Sequence, residues 1–96
     1  MTSSPAELFD RLAVEFVAAH PGLRRNTRGS LVTHGAVRAM TSRGRVVVRL
    51  TSERAEEVRA SGEGAAYKGQ PNRWVELAAD LPHERVAALV AEACEL

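Results

Sequence analysis

The chain has 96 residues, 45% of them apolar and 26% charged, with a formal net charge of +1. That is a single domain, residues 1–96, with room for one modest core, and no apolar run approaches the roughly 18–20 residues that span a bilayer. The one cysteine, Cys94, excludes an intrachain disulfide and suits a reducing compartment, so a cytoplasmic location is expected.

The opening "MTSSPAELFDRL" has no basic start followed by an apolar block, so no secretory leader is expected. The spacing predicts a helix from about Ser4 to His20. Ser4 can cap it, Pro5 fits the first helical position and Glu7 completes a capping box. Leu8, Phe9, Leu12, Ala13, Phe16 and Val17 recur every three or four residues and form its buried stripe. Pro21 disfavours helical geometry at His20 and ends it.

"LRRNTRG" reads as a short polar connector, extended or irregular, carrying Arg24, Arg25 and Arg28. "SLVTHGAVRAM" predicts a hairpin with His34-Gly35 at its tip, and "TSRGRVVVRL" a second reversal at Arg43-Gly44 followed by a third strand. Two-residue loops would pair Thr33 with Ala36, Val32 with Val37, Thr41 with Val46, Ala39 with Val48 and Val37 with Leu50. Side chains alternate along a strand. Val32, Val37, Ala39, Val46, Val48 and Leu50 are therefore expected on the core face. Leu31, Arg38, Met40, Arg45, Val47 and Arg49 are expected on the opposite face, as an apolar strip bordered by arginines.

"TSERAEEVRASGEG" predicts a second helix, capped by Thr51 or Ser52, with glutamates in its early turns, a thin stripe of Ala55 and Val58, and Gly62 as its stop. "AAYKGQPNRWVEL" predicts a short apolar patch, a Gly-Gln-Pro-Asn turn and a strand from Arg73 to Leu77. "DLPHERVAALVAEACEL" predicts the last helix, burying Leu81, Val86, Leu89, Val90 and Ala93. The order is helix, three strands, helix, one or two strands, helix. It predicts an α+β fold of two layers, an antiparallel sheet with helices on one face.

The spacing of Gly35, Met40, Gly44, Val48, Leu50, Arg54, Gly62, Gly64, Trp74 and Val75 carries a resemblance. In "HGAVRAM", "GRVVVRLTSERAEEVRASGEG" and "Tyr67 … RWVEL", roughly Leu31 to Ala93, the chain resembles the N-terminal domain family of the competence regulator TfoX, and more loosely the YjbR-like proteins. The resemblance implies a bacterial protein with an α-β-β-β-α-β-β-α fold similar to that of secretion chaperones. It implies no catalytic residue and no cofactor. Where family members carry an Arg-Met-Phe-Gly-type stretch, this chain has "RNTRG", with Asn26 and Thr27 in place of the apolar pair.

The chemistry-bearing residues point away from catalysis. His20, His34 and His83 have no zinc-ligand spacing, so no metal is expected. Cys94 lies among glutamates at a helix C-terminus, the opposite of what activates a thiol. The serines sit in no nucleophile elbow, and Glu63 spoils Gly62-Glu63-Gly64 as a phosphate cradle. Trp74 can stack on a base or pack on the sheet.

Charge is the stronger signal. From Phe16 to Ser52 there are seven arginines and no acidic residue; all twelve acidic residues fall outside that segment. The leading expectation is a small non-enzymatic interaction module. It would bind a protein partner, or a second copy as a homodimer, through Leu31, Arg38, Met40, Arg45, Val47 and Arg49. The alternative is a nucleic-acid-binding domain using the same basic sheet together with Arg24, Arg25 and Arg28. No membrane, metal or cofactor is expected in either case.

Overall fold

The computed structural model describes residues 4–67 and 72–95. Helix α1 (Pro5–Ala19) is followed by strands β1 (Arg24–Arg25), β2 (Leu31–Thr33), β3 (Ala36–Ser42) and β4 (Arg45–Arg49). Then come α2 (Ser52–Ala60), β5 (Gly64–Ala66), β6 (Trp74–Leu77) and α3 (His83–Cys94). Gly69 to Pro71 of the expected turn lie outside the described residues.

The helix starts follow from their caps. Ser4 Oγ accepts from Glu7 N at 3.2 Å and donates to Glu7 Oε1 at 3.1 Å. Thr51 Oγ1 accepts from Arg54 N at 3.1 Å and opens α2. In each case a side chain satisfies an amide that has no partner within its helix. Val17, expected in the α1 stripe, is 36% exposed. At about 100° per residue it falls near the stripe's margin, well round from Leu8, Leu12 and Phe16.

The six strands form one antiparallel sheet in the order β1-β2-β3-β4-β6-β5. Both hairpin tips have two positive-φ residues, His34 (53°) with Gly35 (75°) and Arg43 (53°) with Gly44 (79°). That is the turn whose twist matches paired strands. The connector is extended where expected: Arg24 and Arg25 pair with Val32 and Leu31 as an edge strand. Asn26 Oδ1 accepts from Arg28 N (3.0 Å) and Ser30 N (2.9 Å), which closes the loop between β1 and β2.

α1 packs on β3 and β4, α3 on β2, β3 and β4, and α2 on β5 and β6. Their buried residues merge with Leu31, Ala39, Val46, Val48, Leu50, Val75 and Leu77 into one core. All three helices thus cover the same face, which gives the expected two-layer α+β architecture. Ion pairs tie the elements together: Arg54 Nε on α2 holds both carboxylate oxygens of Glu92 on α3 (3.1 and 3.0 Å). Arg85 pairs with Glu63, and Arg25 pairs with Asp10.

The expected face assignment fails on β2. Thr33 pairs with Ala36 and Val32 with Val37, but Leu31 then pairs with Ala39, so the register skips Arg38. A bulge of this kind reverses which side chains point inward beyond it. Leu31 is therefore fully buried in the core, and Val32 and Val37 lie outside it. On β3 and β4 the pairs Ala39–Val48 and Thr41–Val46 stand as expected, and Ala39, Val46, Val48 and Leu50 face the helices.

Candidate binding surface on the open sheet face

With Ala39, Val46, Val48, Val75 and Leu77 directed at the helices, alternation places their neighbours on the uncovered face. These are Met40 and Ser42 on β3, Arg45, Val47 and Arg49 on β4, and Trp74 and Glu76 on β6. Cross-strand pairing puts Met40 and Glu76 on either side of Val47, and Trp74 beside Arg49.

Tyr67 follows β5, and its hydroxyl lies 3.4 Å from Ser42 Oγ on β3. Strands β6 and β4 lie between those two residues, so the side chain crosses the open face. Its ring stands 6.3 Å from that of Trp74. Val47 is fully buried although no helix covers it. Both aromatic rings are half-buried.

The exposed apolar strip expected from the sequence is therefore not present. Leu31 is in the core, Val47 is covered, and Met40 is only partly exposed. Among the described residues the exposed large apolar side chains are Val14 and Val17, both on α1. What the face does carry is charge, on Arg45 and Arg49. These two, and Arg38 at the bulge, Arg43 at the hairpin tip and Arg73 before β6, have no carboxylate partner among the described residues. Glu76 is the one acidic residue in the described strands.

The three connector arginines divide. Arg25 is engaged: it pairs with Asp10, its Nε donates to Gly29 O at 2.8 Å, and its guanidinium lies 5.8 Å from the Phe9 ring centre. It ties β1 to α1 and is a poor candidate for an external anion. Arg24 and Arg28 are exposed.

Arg38, Arg49 and Arg73 converge with Leu50 and Thr51 on a cleft of about 280 Å³ at the end of the sheet. Arg73 and the aromatic pair are the residues that sequence reasoning missed as a group. The Arg49–Trp74 pairing between β4 and β6 would have located them, but nothing in a single sequence announces that pairing.

Elsewhere the site chemistry is quiet. Burial pushes the Cys94 thiol up to about 11, with the Arg38 charge acting in the other direction. A thiol so placed is protonated at neutral pH and a poor nucleophile. Among the described residues no three His, Cys, Asp or Glu side chains stand together to hold a metal, and no helix is long and apolar enough to cross a membrane. Compared with family models, curated proteins and solved structures, the chain matches none.

Proposed function

We propose that this chain is a non-enzymatic, cytoplasmic binding module that holds single-stranded nucleic acid on its open sheet face. The observation that carries this reading is the coincidence of unpaired arginines with two aromatic rings on a face that no helix covers. Arg45 and Arg49 can engage phosphates while Trp74 and Tyr67 offer stacking surfaces to bases. Base–aromatic stacking contributes about 1–3 kcal/mol per base. The acidic residues lie mostly on the helices and the segments joining them, so the molecule presents opposite charge on its two layers. The resemblance to the TfoX N-terminal family is in keeping with a bacterial regulatory role without catalysis.

A second reading keeps the same face and changes the occupant to an acidic protein or a second copy. It rests on Glu53, Glu56 and Glu57, which are exposed on α2 and complementary to the sheet. It has lost the apolar strip that first supported it, and arginines without an apolar centre supply steering more than affinity.

The test is fluorescence anisotropy with a labelled oligothymidylate at several salt concentrations, alongside light scattering of the protein alone. Binding should weaken with salt at a slope of roughly −0.7 per phosphate engaged. A monomer that binds with such a slope supports the proposal. A dimer, or a protein that ignores the oligonucleotide at low salt, overturns it in favour of the second reading.

A further inference from the structure

Glu76 is out of keeping with the face it stands on. Strand β6 sets it among the residues that no helix covers, between Val47 on β4 and Ala65 on β5. It is half-buried, and its carboxylate has no hydrogen bond or ion pair among the described residues. On a surface that holds phosphates a free carboxylate costs affinity by repulsion. A ligand group that a carboxylate serves best would offset that cost.

The surroundings of Glu76 narrow the choice. Ser42, Arg43, Ala66, Tyr67 and Glu76 line a cleft of about 370 Å³, a volume within the range of small-ligand sites. Tyr67 crosses the face to bring its hydroxyl 3.4 Å from Ser42 Oγ, so an aromatic ring and the carboxylate border the same space. A carboxylate only accepts, and it offers two oxygens side by side. On the Watson–Crick edge, which unstacked bases leave open, guanine alone presents two adjacent donors, N1–H and N2–H. Adenine and cytosine set one amino group beside a ring nitrogen whose lone pair repels a carboxylate. Thymine flanks its single N3–H with two carbonyl oxygens. Guanine O6 and N7 are acceptors that suit a guanidinium, and Arg43 lines the cleft without a carboxylate partner among the described residues.

We infer that this cleft selects guanine: Glu76 accepts from N1–H and N2–H of one unpaired base, Tyr67 stacks on it and Arg43 donates to O6. The inference rests on the reading of the open face as a single-strand binding surface and names the base which that surface prefers.

The experiment compares labelled strands by fluorescence anisotropy at low salt. They are oligothymidylate and the same strand with one central guanine, adenine, cytosine or hypoxanthine, the last being guanine without its N2 amino group. The guanine strand should bind about tenfold more tightly than oligothymidylate, the discrimination expected of a bidentate base contact. Adenine and cytosine should give no such gain, and hypoxanthine should lose most of it. Glu76→Gln should move two affinities in opposite directions. The guanine strand should weaken, because an amide has one acceptor oxygen in place of two. Oligothymidylate should tighten, because a negative charge beside its phosphates is gone. Oligothymidylate binding with no gain from guanine, a gain that adenine or hypoxanthine reproduces, a gain that survives Glu76→Gln, or equal weakening of both strands overturns the inference and leaves the binding surface standing. No binding of any strand overturns both. If Glu76→Gln fails to fold, the comparison of bases on the wild type decides.

Discussion

Leu31 stands opposite Ala39 across the β2–β3 hairpin, and both are fully buried beneath the helices. The bulge that skips Arg38 is what brings them together, and it makes Leu31 a structural residue.

Leu31→Asp is therefore expected to unfold the protein or cost several kcal/mol, because it buries an unpaired carboxylate. Met40→Asp, on the open face and partly exposed, should leave the melting transition nearly in place. Thermal melts of the two variants check this. Equal losses would mean that the bulge does not separate their faces.

Gly64 is required by space. A Cβ there would stand 2.5 Å from Val75 Cγ1 and 2.8 Å from the Glu76 carbonyl oxygen, and the latter is backbone that cannot step aside. Gly64→Ala should destabilise by about 1–3 kcal/mol, in the range of overpacked cores. It should do so by prising β5 from β6, so amide exchange should accelerate at Ala65 and Glu76 before it does at Val48. Uniform acceleration would contradict a local cause.

Much of the architecture was legible because its signals are local. The Ser4-Pro5-Glu7 cap, the three apolar stripes and the glycines at the hairpin tips each act within a few residues, and each produced the element expected. The bulge at Arg38 was not legible. A one-residue register shift follows from how Leu31 competes with Val32 for the core, and both are apolar and β-branched or bulky enough to fit either face. The surface was hidden for a related reason. Tyr67 covers the sheet by reaching Ser42, a residue 25 positions away in sequence, and Arg38, Arg49 and Arg73 meet only once β4 and β6 have paired. Charge segregation was visible in the sequence; the aromatic rings among those charges were not.

Cys94 provides a pH-dependent readout of the core. Its thiol is pushed up to about 11 from an ordinary value of 9.0, chiefly by burial. The folded state thus favours the protonated form. Its contribution to stability is complete below about pH 9 and is lost as pH rises through the folded value. A disulfide reagent at pH 8 should accordingly label native protein far more slowly than protein in denaturant. Cys94→Ala should flatten the alkaline side of the stability profile. Rapid labelling of the native state would contradict the burial of this helix end.

In the proposed function Trp74 and the arginines beside it form one nucleic-acid-binding surface, and Trp74, as the only tryptophan, reports on it directly. Its intrinsic fluorescence can be followed during titration with unlabelled oligothymidylate at low salt. Saturable quenching that weakens as salt rises is expected. Replacing Arg45 and Arg49 together by alanine should lower the affinity and reduce the salt slope by roughly 0.7 for each phosphate no longer engaged. Tryptophan emission that stays constant while an anisotropy probe reports binding would place the strand elsewhere on the molecule. Constant emission with no binding at all would rule out nucleic acid as the occupant of this face.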